Sequence, residues 1–400
     1  MSNAAGANQP LPAELGKHLE DSLTHLVDSS KPSAVPKTAE GAADTEHPND
    51  AIHVAPKKGR SWIAHLFPNQ ETVHNLFAME HLGNYVIDRT SGKKVFEAMP
   101  LYVRVGMHLL FITGSGYLTY PSIESLLENQ SIKQGELYDQ TGDDVLPHIQ
   151  SFINTYQLPL DELLVSDLTK YPTFNAFFSR RLKATARPIT SPSDPLIITS
   201  PADCRLTVFS SVDQAKKLWI KGQEFSIQSL LVGDDKADKS FSALTEDPGC
   251  SIAVARLAPQ DYHRYHSPVE GTVVSIKDIH GELYTVNPQA VNENLNVFTR
   301  NKRSIMLIHA NLGPGREEVP IALVSVGAML VGSIGWSKKP GDKILKGEEL
   351  GWFQYGGSTN IVVFPSSAGI QFDQDLCANS EASVETVVRV GMEIGAITKQ

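Results

Sequence analysis

The sequence lacks several features that mark common classes of protein. It has only three cysteines in 400 residues, an odd number without metal-ligand spacing, which predicts reduced thiols in a protein that faces the cytosol. It lacks an excess of positive charge, since its formal net charge is −10, and this argues against a nucleic-acid partner. The most apolar long stretch, residues 101–120, is interrupted by Arg104 and His108 and makes a poor membrane-spanning helix.

The beginning of the chain lacks a targeting signal of a familiar kind. Residues 1–50 contain no arginine and no apolar run, and they are rich in Ala, Pro, Ser, Asp and Glu. A secretory signal requires an apolar core, and a mitochondrial presequence requires arginines without acidic residues, so neither secretion nor mitochondrial import is expected. This composition buries too little apolar surface to fold, and we predict a disordered segment over residues 1–55.

Residues 56–170 are expected to form a helical, membrane-associating region. The segment 57–67 joins three cations to an apolar and aromatic stretch, which fits a membrane surface and equally a first core helix with a solvated basic flank. Residues 101–120 are interpreted as an interfacial or buried helix. In residues 147–156 the apolar side chains repeat at helical spacing, at Ile149, Phe152, Ile153 and Tyr156.

Residues 171–400 are predicted to form a β-rich domain that begins with one more helix. That helix spans residues 173–183, starts with Thr173 as its cap and carries a solvated basic face with Arg180, Arg181 and Lys183. After it, short runs rich in Val and Ile alternate with turn residues, as an all-β module requires. Two pairs of segments echo each other, 266–276 with 364–372 and 339–353 with 388–397. We therefore predict an α+β fold, with an N-terminal helical region and a β-rich domain of two similar lobes.

Three short segments carry an acid, a base and a nucleophile in that order. They are residues 200–205, 261–268 and 356–359. An Asp that orients a His, and a His that takes a proton from a Ser, together activate a hydroxyl as a nucleophile. With 13 histidines the chain offers many such trios, and two glycines followed by two hydroxyl residues also form an ordinary polar turn. The residues alone leave both interpretations open.

Six separated segments agree, in their order and in their amino-acid sequence, with segments of one family. They are F-N-A-F-F-S-R-R-L-K-A-T-A-R-P-I (174–189), S-P-A-D-C-R (200–205), the histidine segment 257–273, the strands 284–303 and 326–334, and K-G-E-E-L-G-W-F-Q-Y-G-G-S-T (346–359). On these segments the chain resembles the phosphatidylserine decarboxylase family. Two departures, Cys204 after Asp203 and Gly356-Gly357 before Ser358, resemble its non-mitochondrial eukaryotic branch, whose long N-terminal calcium-binding modules are missing from this sequence.

The resemblance implies that the protein makes its own cofactor. Ser358 would attack the carbonyl of Gly357, with His266 as the base and Asp203 as the residue that orients it. The chain would split into a β chain of residues 1–357 and an α chain of residues 358–400, which remain together as a heterodimer. Ser358 would become a pyruvoyl group, so that neither pyridoxal phosphate nor a metal is needed.

The resemblance also implies the reaction. Phosphatidylserine in a membrane would form a Schiff base with the pyruvoyl group and leave as phosphatidylethanolamine and CO₂. His263 is the residue expected to handle the substrate carboxylate or the returning proton. Four further residues either line the pocket or serve packing and surface charge, namely Tyr284, Asn287, Phe298 and Arg303, whereas Tyr262 and Tyr265 are expected to be core aromatics.

Location and assembly follow less directly from the sequence. We expect a peripheral membrane protein on the cytosol-facing side of an endomembrane, such as the Golgi or an endosome, or in the cytoplasm. A homo-oligomer is left open. Two other functions remain as alternatives: a soluble pyruvoyl-dependent decarboxylase of aromatic amino acids such as tryptophan, and a non-catalytic β-rich binding module whose Gly-Gly-Ser turn never breaks.

Overall fold

The computed structural model describes residues 83–98, 135–218, 225–233, 239–281, 297–327, 334–355 and 358–398. The expectations for segments 1–55, 57–67 and 101–120 lie outside these residues. Within the described part of the chain, no helix is both long and apolar enough to cross a bilayer.

The described strands, numbered in chain order, account for most of the regular structure. They are β1 Gly83–Asp88, β2 Lys94–Ala98, β3 Ile197–Thr199, β4 Cys204–Phe209, β5 Ser251–Leu257, β6 Arg264–His266, β7 Glu270–Ile279, β8 Arg303–Asn311, β9 Val319–Gly327, β10 Ile334–Trp336, β11 Lys343–Ile344, β12 Glu349–Phe353, β13 Ser358–Phe364, β14 Ile370–Phe372, β15 Glu385–Val388 and β16 Glu393–Ile397. The α-helices whose bounds lie among the described residues are fewer. They are α1 Val145–Tyr156, α2 Phe174–Phe178, α3 Val212–Leu218, α4 Ile227–Leu231, α5 Ser242–Thr245, α6 Val297–Arg300 and α7 Gln374–Glu381.

The chain divides into two compact units, and α1 lies in the first. Its apolar stripe is buried as predicted, since Ile149, Phe152 and Ile153 are all shielded from solvent. Phe152 packs edge-on against Phe174 of the same unit, with ring centroids 5.4 Å apart. The amphipathic spacing therefore predicted this helix and its buried face correctly.

The helix predicted over residues 173–183 is much shorter. Thr173 caps it as expected, because its hydroxyl accepts a hydrogen bond from the Ala176 N–H at 3.1 Å. The helix nevertheless ends at Phe178. Beyond that point the backbone bonds across to residues 162–164 instead of continuing its own ladder, so a tertiary contact overrides the local propensity.

Strands also occur inside the range expected to be helical. β1 and β2 lie within residues 56–170. β1 pairs in parallel with β15, with Val86 opposite Glu385. Residues Tyr85–Val95 consequently belong to the second unit, which holds the β-rich part of the chain.

The second unit is built on a ten-stranded sheet and two three-stranded sheets. The large sheet has the order β11-β7-β8-β9-β13-β5-β4-β15-β1-β2, and the small ones have the orders β10-β12-β6 and β14-β16-β3. β13 lies in the interior of the large sheet, antiparallel to β9 on one side and β5 on the other. All seven of its residues are buried, so its run of Val and Ile reads as continuous rather than alternating.

One pattern of strand pairing occurs twice in the sheets, and it can be compared with the two similar lobes predicted from the sequence. In one copy β6 leads into β7, with β12 beside β6 and β11 beside β7. In the other, β3 leads into β4, with β16 beside β3 and β15 beside β4. The predicted similarity between 339–353 and 388–397 thus corresponds to equivalent strands. The predicted similarity between 266–276 and 364–372 does not, since the pairing makes β3–β4 the counterpart of β6–β7.

Candidate active site

Ser358 begins β13, in the middle of the large sheet. The register places it opposite Leu257 on β5 and Gly327 on β9. It is fully buried, and its hydroxyl has no hydrogen-bond partner among the described residues. A buried hydroxyl without a partner is costly to keep, which marks Ser358 as a functional candidate rather than an ordinary turn residue. Gly356 and Gly357, the predicted cleavage partner, lie outside the described residues.

The residues just before Gly356 are held against the histidine segment. Tyr355 is buried and packs edge-on against Phe178, with centroids 5.0 Å apart. Phe178 in turn packs on the ring of His263 at 4.0 Å. The N–H of Phe353 donates to the carbonyl of His263 at 2.9 Å. Backbone and rings therefore fix the approach to Ser358 relative to His263.

His263 is a neutral imidazole with one nitrogen left unused. It is fully buried, and its Nδ1 lies 2.9 Å from the carbonyl of Asp261. A carbonyl only accepts, so Nδ1 carries the proton and Nε2 is the acceptor. Nε2 has no partner among the described residues. The pKa of His263 is lowered to about 3, mainly by burial, with a smaller contribution from the charges of Arg180 and Arg205 and partial compensation by the bond to the carbonyl of Asp261.

Two arginines and Asp261 hold the loop that carries His263, and these were not foreseen. Arg180 donates to the carbonyls of Gln260 and Asp261, each at 3.3 Å. Arg205 pairs with the carboxylate of Asp261. Arg180 was expected on a solvated face and is instead 5% exposed. No local pattern distinguishes it from its exposed neighbour Arg181, because its acceptors are 80 residues away in the chain.

His266, the predicted base, is held at both ring nitrogens. Its Nδ1 donates to the carbonyl of Gly347 at 2.8 Å, and its Nε2 lies 3.2 Å from the hydroxyl of Tyr262. Burial lowers the pKa of His266, and the bond to Gly347 and the charges of Glu349 and Asp203 offset this only in part. The imidazole is thus neutral at physiological pH, as a base must be.

Asp203, the predicted partner of His266, bonds elsewhere. Arg187 donates to both of its carboxylate oxygens, at distances from 2.5 to 2.9 Å, and the N–H of Val390 donates to Oδ1 at 2.9 Å. Among the described hydrogen bonds, none joins Asp203 to His266. The predicted orienting bond is therefore not among the described contacts, although the charge of Asp203 raises the pKa of His266.

The three predicted segments nevertheless meet at one end of the sheet. β4 and β5 pair Arg205 with Arg256, while β5 and β13 pair Leu257 with Ser358. The Asp203 turn and Ser358 consequently lie at the same ends of strands that have only β5 between them, about 10 Å apart. The N–H of His266 donates to the carbonyl of Pro201 at 2.7 Å, which brings the base to that end as well.

The expected substrate-binding residues separate into two groups. Tyr284 and Asn287 lie outside the described residues. Phe298 is buried in α6, and Arg303 is 1% exposed at the start of β8. The guanidinium of Arg303 donates to the carbonyls of Leu230 and Ser229, both at 2.7 Å. Arg303 is therefore not a surface cation, and its contacts are those of a structural clamp. Among the described residues, no group of three or more His, Cys, Asp or Glu side chains forms a candidate metal site.

The amino-acid sequence is similar to those of known proteins. The sequence profile of the phosphatidylserine decarboxylase family matches residues 174–396, more than half of the chain. "Phosphatidylserine decarboxylase proenzyme 2" of Komagataella phaffii is 42% identical over 308 residues, which cover 77% of this chain and 29% of that protein. The proenzyme 2 of Oryza sativa subsp. japonica is 41% identical over 340 residues, covering 84% and 52%.

A shorter bacterial relative is covered more completely. "Phosphatidylserine decarboxylase proenzyme" of Chlamydia trachomatis is 38% identical over 247 residues, 62% of this chain and 77% of that protein. The chain thus spans about half or less of the length of its fungal and plant relatives, and most of the bacterial one. On the matched residues and the buried Ser358, Asp203 and histidine segments within them, the chain belongs to the phosphatidylserine decarboxylase family.

Proposed function

We propose that this chain is a pyruvoyl-dependent decarboxylase that cleaves itself between Gly357 and Ser358 and converts phosphatidylserine to phosphatidylethanolamine and CO₂. The observation that carries the proposal is the Ser358 hydroxyl, buried at the start of an interior strand with no partner among the described residues. The relatives support it, since they are named phosphatidylserine decarboxylase proenzymes, and a proenzyme requires maturation.

Maturation begins with an attack on the backbone. The Oγ of Ser358 adds to the carbonyl carbon of Gly357, the C–N bond breaks, and an ester replaces the amide. A serine hydroxyl is a weak nucleophile, so a base must take its proton, and the neutral His266 suits this role. Loss of the α-proton of Ser358 then breaks the ester C–O bond, which leaves Gly357 as a carboxylate and residue 358 as dehydroalanine. Water adds and ammonia leaves, and a pyruvoyl group remains.

The surroundings of Ser358 fit that product. The loss of the hydroxyl breaks no hydrogen bond to the described residues. When formed, the keto group supplies an electrophilic carbonyl for an amine and a sink for the electrons that a departing carboxylate leaves behind. Residue 358 is itself fully buried, so bulk water is excluded from this position.

His263 is proposed to move the proton rather than to bind the carboxylate. Its Nε2 is an unprotonated acceptor in a buried position, and an acceptor does not attract a carboxylate. A neutral imidazole can collect the proton that the substrate amine releases. It can then return that proton to the carbon that loses CO₂, which is a general acid–base role.

The protein is further proposed to work at the cytosol-facing surface of an endomembrane, because its substrate resides in a bilayer. Apolar side chains in the second unit are exposed close to a cation and support this: Leu160, Leu164 and Val165 are 44%, 56% and 36% exposed. The N–H of Leu164 donates to the carbonyl of Arg181, whose side chain is 57% exposed and pairs at 3.3 Å with Glu349. Such a combination favours an anionic lipid surface.

The proposal is tested on the purified full chain. Mass spectrometry is expected to find two fragments, the smaller beginning at residue 358 with a blocked, ninhydrin-negative end, and vesicles containing phosphatidylserine are expected to release CO₂. The Ser358→Ala variant is the control and should keep the full mass of 43.7 kDa and release none. A wild-type chain of full mass would overturn the proposal and support a non-catalytic module.

The second candidate substrate needs its own arm in that experiment. Free tryptophan is offered at the same concentration as phosphatidylserine, and CO₂ is measured from each. The names of the relatives favour the lipid, so we expect release from vesicles alone. Release from tryptophan alone would assign the chain to the soluble amino-acid decarboxylases instead.

A further inference from the structure

Tyr262 was expected to be a core aromatic, but its hydroxyl has a specific partner. The side chain is 5% exposed, and its hydroxyl lies 3.2 Å from Nε2 of His266. The two rings are 5.6 Å apart at a tilt of 41°, so they do not stack. The contact between the two side chains therefore includes a hydrogen bond in addition to ring packing.

The bonds of His266 determine which way that hydrogen bond runs. Nδ1 faces the carbonyl of Gly347 at 2.8 Å and must donate, because a carbonyl has no proton to give. The neutral imidazole consequently accepts at Nε2, and Tyr262 donates to it. Any proton that His266 takes during maturation must arrive at Nε2, the atom that Tyr262 holds.

We propose that Tyr262 is a positioning residue for self-cleavage. With Gly347 it fixes the ring orientation and the tautomer of His266, so that Nε2 is the unprotonated nitrogen. This inference rests on the proposed function, in which His266 accepts the proton of Ser358. Nε2 has one lone pair, so the phenol O–H turns away from Nε2 when the Ser358 proton arrives there, and the phenol oxygen then accepts from the imidazolium. The same hydroxyl therefore supports both states of the base.

The charged groups around His266 come from several elements. Glu349 on β12 and Asp203 before β4 raise its pKa, and Arg264 on β6 lowers it. Arg187 neutralises much of the charge of Asp203. Replacing Tyr262 by Phe alters none of these groups, so any change in the base arises from the lost hydroxyl.

The first experiment follows self-cleavage of the freshly synthesised chain in a cell-free system from pH 5 to 9. We expect Tyr262→Phe to slow cleavage by about 10- to 100-fold, because an imidazole held at one nitrogen no longer keeps its alignment. A hydrogen bond to a charged donor is about twice as strong as a neutral one, so the protonated imidazole loses more than the neutral form. The midpoint of the pH profile should therefore move down by about half to one pH unit.

Tyr265→Phe provides a matched control. Tyr265 is fully buried three residues further along and donates its hydroxyl to the carbonyl of Gly335 at 2.7 Å. The same change of side chain there also removes one buried hydrogen bond, without touching the His266 ring. We expect a similar loss of melting temperature in both variants and a wild-type rate and pH profile in Tyr265→Phe. Equal kinetic defects in the two variants would overturn the proposal.

A spectroscopic measurement does not depend on cleavage. In the Ser358→Ala chain with ¹⁵N-labelled histidines, the His266 signals are identified by their loss in His266→Ala. We expect an Nδ1–H tautomer with a hydrogen-bonded Nε2, and Tyr262→Phe should shift the Nε2 resonance to the unbonded position. An unchanged resonance would refute the inference. A wild-type chain that never splits would refute the proposed function but leave this measurement valid.

Discussion

Four buried atoms without a hydrogen-bond partner among the described residues lie at or near this end of the sheet: Oγ of Ser358, Oγ1 of Thr359, Nδ2 of Asn360 and Nε2 of His263. Leaving a buried polar atom unpaired costs about 1–3 kcal/mol each, which is large against the net stability of a domain. Selection for stability alone would place apolar groups at these positions. Tyr355 precedes β13 and packs on Phe178, which packs on His263, and the reaction proposed above uses the Ser358 hydroxyl and the His263 Nε2.

His263→Asn separates maturation from turnover. Asn retains a donor for the carbonyl of Asp261 but removes the basic Nε2. We expect the chain to split normally and kcat to fall by about 10²- to 10⁴-fold, the usual contribution of a general acid–base, with little change in KM. The measurement is CO₂ release from phosphatidylserine vesicles after mass spectrometry has established splitting.

His309→Ala is the control for that substitution, because His309 lies on β8 opposite Pro320 and contacts none of the site residues named above. Its turnover should match the wild type. An unsplit His263→Asn chain would contradict the separation of roles, and full turnover in it would remove His263 from the reaction.

The neutral state of His263 also makes stability depend on pH. The unfolded chain protonates this imidazole near its ordinary pKa of 6.5, whereas the folded chain does so only near 3. Between these values the unfolded state binds more protons, so stability falls as the pH falls. From pH 6.5 to 5 this amounts to about 2 kcal/mol.

Urea unfolding of the uncleaved Ser358→Ala chain at pH 7.5 and 5 measures this effect. Adding His263→Asn should reduce the loss of stability between the two pH values by that amount. A parallel loss in both chains would show that His263 is not the group responsible.

At the level of residues, the sequence predicted identities better than contacts. Ser358, His263 and His266 were predicted as site residues because the short sequence segments around them resemble those of the family, and their roles stay predictions. The partners Arg187, Tyr262 and Gly347 were not found, because each meets its target through the fold. A short motif carries no signal for an arginine that reaches an aspartate 16 residues away.

At the level of elements, the turn between β11 and β12 positions the base. Gly347 supplies the carbonyl that holds Nδ1 of His266. Its φ is +78°, and a Cβ placed there would lie 2.4 Å from the side chain of Ile189. Only glycine adopts that conformation without strain, so the turn, the packing of Ile189 and the orientation of His266 are coupled.

Gly347→Ala should therefore slow self-cleavage as well as destabilise the chain. The left-handed conformation costs a residue with a side chain about 1–2 kcal/mol, and the contact with Ile189 adds to this and shifts the carbonyl. Gly341→Ala is matched to it, since its φ is +90° and nothing lies within 4 Å of its added Cβ. Melting temperature and splitting rate are measured for both. Equally slow splitting in the two would show that strain, and not the position of His266, is responsible.

The elements also show where sequence patterns fail. The 3.6-residue period predicted α1 and its buried stripe, because that helix forms its own hydrogen bonds and needs only an apolar face. The same period over 173–183 failed after Phe178, where the backbone bonds to residues 162–164. Periodicity describes a face and not a partner. The periodicity therefore placed Arg180 on a solvated face, whereas its side chain is buried and holds the His263 loop.

At the level of the whole molecule, the predicted cleavage point has an architectural consequence. The fragment that begins at Ser358 contributes β13, β14, β15, β16 and α7. Every residue from Ser358 to Phe364 pairs with β5, and all but the last also pair with β9. Cutting the chain before Ser358 therefore removes one covalent bond at the end of an interior strand and leaves the ladders on both of its sides intact.

We accordingly expect the two fragments to remain together under conditions that disrupt surface ion pairs. In 1 M salt the screening length is about 3 Å, but the buried apolar residues of β13 are unaffected by salt. Gel filtration in 1 M NaCl should elute both fragments in one peak, and 6 M guanidinium chloride should separate them. The uncleaved Ser358→Ala chain serves as the reference and should elute at the same volume in salt. A small fragment that elutes alone in 1 M NaCl would show that β13 is not held from both sides in the mature protein, and it would contradict the sheet order on which the site depends.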